Sequence, residues 1–179
     1  RVVLVDNLQW NDQQYDGSSW QLNPMDGAGE TSGSTIHLAT DDTCENVAKT
    51  LYHEYQHARI PRRFASGSWG SEEQYAYTLE TSWAIDRGLT PDPGLTTTDP
   101  STGETVVDSS GVSSQVESYP GLDAANPGEV IEKVGSSRVR VRMPDGRVTV
   151  RDAVAGDSVP GPRQITNPQA VSDREWTCL

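Results

Sequence analysis

The sequence predicts an α+β fold in which helices and strands occupy separate stretches of the chain. Residues 43–59 and 72–87 have the apolar spacing of amphipathic helices. Short strand-like runs precede these helices, and a strand-rich stretch, 129–152, follows a segment rich in Pro, Gly, Ser and Thr. The 179 residues are enough to bury a hydrophobic core. We therefore expect a short sheet packed with two helices, followed by a β-rich appendage.

The N-terminal part contains three candidate strands. Residues 1–5, 18–22 and 34–40 combine β-branched or alternating apolar residues with flanking turn residues. Residues 11–17 and 25–33 are polar or Gly-rich, and we expect turns and loops there. The third strand leads directly into the first helix, so we expect it to lie beside that helix.

Local signals set the ends of both helices. Asp42 with Glu45 three residues later predicts an N-cap and a capping box, and Pro61 predicts the end of the first helix. Ser71 is the expected cap of the second helix, and Gly88 is its expected stop. One apolar stripe is expected on the first helix, formed by Cys44, Val47, Ala48, Leu51, Tyr55 and Ala58.

The first helix carries the motif His53-Glu54-Tyr55-Gln56-His57, the HExxH zinc signature. Residues four apart lie one turn above each other, so His53 and His57 project from the same side and can bind one ion. A catalytic zinc ion with two His ligands needs a third protein ligand and a position for water. Glu54 is the candidate general base that takes the proton of that water. The predicted cofactor is Zn²⁺.

The third ligand is expected from the second helix, which offers Glu72, Glu73 and Glu80. Glu72 lies on the apolar stripe of that helix, whereas Glu73 and Glu80 share the adjoining face with Tyr77. Spacing alone therefore leaves all three glutamates open.

The segment Glu73-Gln74-Tyr75-Ala76-Tyr77 resembles the Glu-x-x-Ala-Asp segment of the gluzincins, zinc peptidases of the zincin superfamily whose third ligand is a Glu. This resemblance implies a zincin-like catalytic fold, Glu73 as third ligand and hydrolysis of a protein or peptide substrate. It also implies that an extended substrate pairs with the strand beside the HExxH helix. Tyr77 stands where the family often has an Asp that holds a ligating His. Tyr77 is therefore a candidate catalytic residue that hydrogen-bonds a ligand or the oxyanion.

Residues 34–88 are also similar to metallopeptidase toxin domains at the ends of bacterial polymorphic and type VI secretion effectors, in which an HExxH helix is closely followed by an ExxA helix. That similarity implies secretion or delivery into a target cell and a cognate immunity protein or inhibitor. The fragment begins at Arg1 and shows no signal peptide, as we expect of a processed chain or of a piece of a longer polypeptide.

Charge and cysteine content limit the partners further. The formal net charge of −12 repels phosphate backbones, so we expect no nucleic-acid partner. No run of eighteen apolar residues occurs, so we expect no membrane span. Cys44 and Cys178 either form one disulfide in an oxidising compartment or remain thiols.

We expect three regions: a zincin-like catalytic core at 1–88, a linker or wrapping arm at 89–128, and a β-meander appendage with a C-terminal tail at 129–179. Residues 153–179 are expected to be loop-like. In the meander, Arg residues at 138, 140 and 142 alternate with apolar residues, so they share one strand face.

That Arg row is expected to pair with acidic residues of the catalytic core or to bind an acidic partner. An alternative function is therefore a non-catalytic, zinc-stabilised binding module that acts through the Arg-rich meander. A closed zinc site of this kind needs a fourth protein ligand, such as His37 or Glu80.

Overall fold

The computed structural model describes residues 1–40, 42–59, 69–118, 129–143, 146–159, 161–166 and 168–170. Within these residues the chain is a mixed α+β protein with three helices, several small sheets and a strand-rich C-terminal region, which confirms the predicted class. None of the three described helices combines the length and the apolar content that crossing a bilayer requires.

The helices are α1 (Cys44–Arg59), α2 (Trp69–Arg87) and α3 (Ser109–Glu117). The strands of the N-terminal half are β1 (Val2–Val5), β2 (Asn7–Tyr15), β3 (Trp20–Asp26), β4 (Gly29–Ser32) and β5 (Thr35–Ala39). The later strands are β6 (Thr96–Thr98), β7 (Thr105–Val107), β8 (Glu129–Lys133), β9 (Arg138–Arg142), β10 (Val148–Asp152), β11 (Ser158–Val159), β12 (Arg163–Thr166) and β13 (Gln169–Ala170).

The first sheet supports helix α1 and has the strand order β13-β1-β5-β4. Strands β1 and β5 run parallel, and the other pairs are antiparallel. On one face, Leu4, Ile36 and Leu38 form a buried cluster with Val47 of α1. Leu51 and Ala58 pack at its edge, as the predicted stripe requires. Tyr55 does not join them, because 47% of its surface is exposed.

Helix α1 is capped by a different residue from the one expected. The hydroxyl of Thr43 accepts the N–H of Asn46 at 3.2 Å, so Thr43 is the N-cap. Asp42 instead accepts the side-chain amide of Asn46 at 2.9 Å. Glu45 accepts the N–H of Thr90, and the predicted capping box is therefore wrong. The helix ends at Arg59, and Pro61 lies outside the described residues.

Helix α2 begins at Trp69, so the expected cap, Ser71, lies inside the helix. Its C-terminal end agrees with the prediction: Gly88 has a φ of 67°, and the N–H of Leu89 donates to the carbonyl of Ala84 at 2.9 Å. This is a Schellman cap, which requires the left-handed conformation that glycine adopts without steric cost.

Helix α2 is fixed to α1 by a ring stack and by a buried lysine. The rings of Tyr52 and Trp83 stack at 4.7 Å between centroids. The Lys49 ammonium, whose side chain is 7% exposed, pairs with Asp92 and donates to the carbonyl of Thr90 at 3.0 Å. These contacts join α1 to the segment that follows α2, and they hold the two helices side by side.

Strands of the first and second sheets lie in three stretches where we expected turns and loops. Strand β2 pairs with β3 along one edge and with β11 and β12 along the other. Regular strands therefore occupy much of 11–17, 25–33 and 153–170, where we expected turns and loops. The cause is partial exposure: only Leu8, Asn11 and Tyr15 of β2 are buried, so polar residues fill the remaining positions and hide the alternation.

The third sheet, β8-β9-β10, is the predicted meander. Val139 and Val141 are buried with Val130 and Val159, whereas the Arg row on β9 is exposed. Arg140 pairs with Glu132, and Arg138 lies 3.9 Å from Asp152, so the described ion pairs of these two residues lie within their own sheet and not with residues 1–88, as we had expected. The turn residues Pro144 and Asp145 lie outside the described part of the chain.

Candidate metal centre

Helix α1 places the two motif histidines against each other on the side that faces α2. The Nε2 atoms of His53 and His57 lie 3.1 Å apart, and the ring centroids are separated by 4.9 Å. His53 is 8% exposed and His57 is half-buried. Their proximity follows from the four-residue spacing, because residues one helical turn apart lie on the same side of the helix, one above the other.

Helix α2 brings one carboxylate to both imidazoles. Glu73 Oε2 lies 3.2 Å from His53 Nε2, and Glu73 Oε1 lies 3.3 Å from His57 Nε2. The Glu73 side chain is 9% exposed, and it is held on this face of α2 by the packing of α2 against α1. His53, His57 and Glu73 form the one group of metal-ligating side chains found among the described residues. Glu72 lies outside this group.

A second carboxylate, that of Glu80, lies on the opposite side of the His53 ring. His53 Nδ1–H donates to Glu80 Oε2 at 2.9 Å, and Glu80 is 6% exposed. This hydrogen bond fixes the ring so that Nε2 faces His57 and Glu73. The spacing of the glutamates on α2 left Glu80 as one of three candidates for the third ligand. In the structure it is a positioning carboxylate for His53, two turns along α2 from Glu73.

Tyr77 lies between these two carboxylates on the same face of α2. Its ring meets the His53 ring edge-on, with 4.5 Å between centroids and 65° between planes. The structure therefore brings Tyr77, the last residue of the segment 73–77, into contact with His53. The carboxylate that contacts His53 Nδ1 comes from Glu80, three residues further on.

Glu54 is buried beside the histidine cluster, with 8% of its surface exposed. Burial raises the pKa of its carboxyl group, and charge on His53 and His57 acts in the opposite direction with smaller effect. The hydroxyl of Thr31 donates to the backbone carbonyl of Glu54 at 2.8 Å. Strand β4 thus lies directly over the residue predicted to act as a base.

The titratable side chains of this cluster shift one another's pKa values. Burial of His53 opposes its charge, yet hydrogen bonds to Glu73 and Glu80 raise its pKa to about 10. Burial of Glu73 likewise opposes its charge, but hydrogen bonds to His53 and His57 lower its pKa to about 2. The physical cause is the same in both cases: a buried imidazolium and a buried carboxylate stabilise each other.

The donor set and its spacing fit a divalent transition metal. Ligand atoms that surround an ion tetrahedrally at roughly 2.0–2.1 Å lie about 3.3 Å from one another. The two Nε2 atoms lie 3.1 Å apart, and the two oxygens of Glu73 lie 3.2 Å from His53 Nε2 and 3.3 Å from His57 Nε2. With one ligand atom taken from each residue, the three atoms lie within 4.8 Å of one another. Two imidazole nitrogens and one carboxylate oxygen suit such ions better than calcium or magnesium, which prefer oxygen ligands alone.

His37 and the cysteines lie apart from this centre. Ile36 and Leu38 face α1, so His37 between them points to the opposite side of the sheet, where its Nδ1 is buried without a described hydrogen-bond partner. His37 is therefore not a fourth ligand in this structure. Cys44 is disulfide-bonded, and Cys178 lies outside the described residues.

The sequence analysis did not single out Gly29 and Thr31, which contact Glu54, or Lys49, which lies one turn before His53 on α1. Gly29 and Thr31 were missed because residues 25–33 were expected to be a loop. Lys49 offered a detectable signal, since it precedes His53 by one helical turn and so shares its face of α1.

The chain matches no protein-family model, no curated protein and no solved structure. The geometry of the described residues alone supports a candidate metal site, formed by two histidines and one glutamate on two helices.

Proposed function

We propose that the chain is a zinc-dependent peptidase with a gluzincin-like site. The observation that carries this proposal is the convergence of His53, His57 and Glu73 within 3.3 Å of one another, next to a buried Glu54. A structural zinc site is normally closed by four protein ligands. Among the described residues the group contains three, which is the number typical of catalytic zinc sites.

Zinc held by these three residues would supply a Lewis acid that activates water and polarises a peptide carbonyl. Glu54 takes the proton of the attacking water and returns it to the leaving amine. Tyr77, which contacts His53, donates its hydroxyl proton in a hydrogen bond to the carbonyl oxygen as negative charge develops there. Glu80 holds the His53 ring in place throughout.

The open edge for an extended substrate belongs to β4. We expected the strand at 34–40 to take this role, but β5 lies between β1 and β4 and is paired on both sides. Among the described strands, β4 pairs only with β5. We therefore assign substrate pairing to β4, because no described strand pairs with its outer edge, which lies beside Glu54.

A digest of a mixed peptide library tests this function. We expect zinc-loaded parent protein to cleave peptides, chelator-treated protein to lose cleavage, and zinc to restore it. Glu54→Gln should retain zinc but lower turnover by several orders of magnitude, because the attacking water loses its base. Full activity in Glu54→Gln, or no cleavage by the zinc-loaded parent, would contradict the proposal.

The disulfide at Cys44 supports a proposal about where the protein works. Disulfides persist in oxidising compartments and are rare in the reducing cytosol of most cells. We therefore propose a secreted or exported chain, in keeping with delivery into a target cell and control by an immunity protein or inhibitor. Growth of cells that produce the parent or the Glu54→Gln variant in their periplasm tests this. Equal growth of the two strains would contradict a toxic role.

The Arg-rich meander supports a second candidate function, binding of an acidic protein. Residues 129–152 contain six basic and four acidic residues, whereas the whole chain has a net charge of −12. The face that carries Arg138, Arg140 and Arg142 also exposes Val148 and Val150, at 53% and 36%. Exposed ion pairs such as Arg140 with Glu132 contribute about 0–1 kcal/mol, so they exchange partners readily.

Binding of a fluorescent poly-glutamate peptide tests this second function. We expect Arg138→Glu with Arg140→Glu to abolish binding, while metal content and peptide hydrolysis stay unchanged. Arg1→Glu with Arg87→Glu, which reverses two exposed arginines outside the meander, is the matched control for net charge. Equal loss of binding in the control would show a general charge effect and contradict a specific surface.

A further inference from the structure

Strand β4 packs closely against α1 at Glu54, the proposed general base. A Cβ atom placed on Gly29 would lie 2.8 Å from Glu54 Cγ and 2.6 Å from Thr50 Cγ2. Both separations are shorter than carbon atoms tolerate, so the strand backbone lies directly on the Glu54 side chain. Any side chain at position 29 must therefore move the strand or the carboxylate.

A second contact fixes the same strand two residues further on. Thr31 donates its hydroxyl proton to the backbone carbonyl of Glu54 at 2.8 Å. Residues 29 and 31 lie on the same strand face because side-chain direction alternates with every residue. Glu54 therefore has two contacts with β4. Its side chain packs against the backbone of Gly29, and its backbone carbonyl accepts a hydrogen bond from the side chain of Thr31.

The same two residues present main-chain groups to the open edge of the sheet. Ala39 N–H donates to the carbonyl of Ala28 at 2.9 Å, so residue 28 belongs to a pair that exchanges hydrogen bonds with β5. Antiparallel pairs alternate between bonded and non-bonded types. The neighbouring pairs, Gly29 with Leu38 and Thr31 with Ile36, therefore direct their N–H and C=O groups away from β5.

We propose that Gly29 and Thr31 are positioning residues that set the Glu54 carboxylate in register with a peptide bound along β4. This inference rests on the proposed peptidase function. Each residue touches Glu54 on one side and offers backbone hydrogen bonds to an extended substrate on the other. One rigid strand segment therefore fixes the distance between the base and the scissile bond.

Hydroxyl removal at Thr31 is the first test. Thr31→Val keeps the shape and the main-chain groups but loses the donor, whereas Thr31→Ser keeps the donor. A misplacement of about 1 Å costs on the order of 100-fold in rate. We expect kcat to fall about 10- to 100-fold in Thr31→Val with KM and zinc affinity unchanged, and to stay near the parent value in Thr31→Ser. Equal kcat in the parent and both variants would overturn the inference.

The second test adds a side chain at position 29 and then removes an atom that this side chain would meet. We expect Gly29→Ala to lower kcat about 10- to 100-fold while zinc stays bound. Thr50→Ser removes the Cγ2 atom that a Cβ at position 29 meets most closely, so the double variant should recover part of the lost rate. Thr50→Ser alone is the control. No recovery together with normal folding of both variants would count against the proposed contact.

Amide deuterium exchange separates failure of this inference from failure of the peptidase function. If the zinc-loaded parent cleaves no peptide, the peptidase proposal fails, but exchange still reports on the contact. We expect faster exchange across residues 29–32 and 53–59 in Thr31→Val than in Thr31→Ser. Identical exchange in the two variants would overturn the inference whatever the activity of the parent.

Discussion

His53 Nδ1 and Glu80 Oε2 lie 2.9 Å apart in the interior between α1 and α2. This hydrogen bond leaves Nε2 as the nitrogen of His53 that faces His57 and Glu73. A carboxylate in this position also makes the ring a stronger ligand, because it stabilises positive charge on the imidazole. The candidate metal site therefore consists of three possible ligand side chains and one carboxylate that positions His53.

Truncation of Glu80 should weaken metal binding without abolishing it. Outer carboxylates of this kind contribute about 10- to 100-fold to metal affinity. We expect Glu80→Ala to lower zinc affinity by that factor and Glu80→Gln, which still offers an acceptor oxygen, to lie close to the parent. Competition with a fluorescent zinc chelator measures both. Equal affinities in Glu80→Ala and the parent would remove Glu80 from this role.

Neighbouring glutamates on α2 provide a matched comparison for the third ligand. We expect Glu73→Ala to lose stoichiometric zinc, since its carboxylate meets both histidines. Glu72→Ala, one residue away and outside the ligand group, should keep one zinc per chain. Elemental analysis of the dialysed proteins decides between them. Full zinc content in Glu73→Ala would reassign the third ligand.

Metal uptake should displace a proton from the site. The raised pKa of His53, about 10, means that the metal-free protein is protonated there at pH 7, whereas a metal ligand must be neutral. Titration calorimetry in buffers of different ionisation enthalpy should therefore show release of about one proton from His53. Apparent zinc affinity should rise about tenfold per pH unit between pH 7 and pH 9. A pH-independent affinity would contradict this.

The same shift predicts how the metal-free protein responds to alkali. The pKa of His53 is higher in the folded protein than its ordinary value near 6.5, so protonation of His53 stabilises the folded state. This stabilisation is complete at pH values below about 6.5. This contribution is lost as the pH rises toward 10. In chelator, we expect the melting temperature to fall over this range more steeply for the parent than for His53→Asn, which has no titrating ring. Parallel curves would show that His53 is not coupled to folding.

Lys49 should contribute to stability through its contacts with the segment after α2. Lys49→Met leaves the carbonyl of Thr90 without this donor and Asp92 without its partner. We expect the free energy of unfolding to fall by about 1–3 kcal/mol. Asp92→Asn, which retains an acceptor for Lys49, should cost less. Chemical denaturation measures both, and an unchanged midpoint in Lys49→Met would contradict the role.

Local patterns predicted helices α1 and α2 and the shared face of the two histidines, but not α3, which lies in the segment expected to be a linker or wrapping arm. The His53–His57 spacing, the Gly88 stop and the stripe through Val47 depend on residues close in sequence, and each appears in the structure. The choice of Glu73 came from a family resemblance, and packing against α1 brings that residue to the two histidines.

Features that depend on distant pairing were not predictable from local patterns. Strand β2 is completed by β11 and β12, about 150 residues later, and its half-exposed positions carry polar side chains that resemble a loop. The contact of Gly29 with Glu54 was also unpredictable from local patterns, because the residues near 29 do not indicate which helix packs against this strand. Glu80 was named as a ligand candidate, and only the geometry distinguishes its positioning role.

A crystal structure of the zinc-loaded protein, with anomalous diffraction recorded across the zinc edge, tests the central claim most directly. The account predicts one anomalous peak within about 2.0–2.2 Å of His53 Nε2, His57 Nε2 and a Glu73 oxygen. It also predicts a solvent-accessible coordination position on the side of Glu54. A peak elsewhere, or an ion closed by a fourth protein ligand, would contradict it.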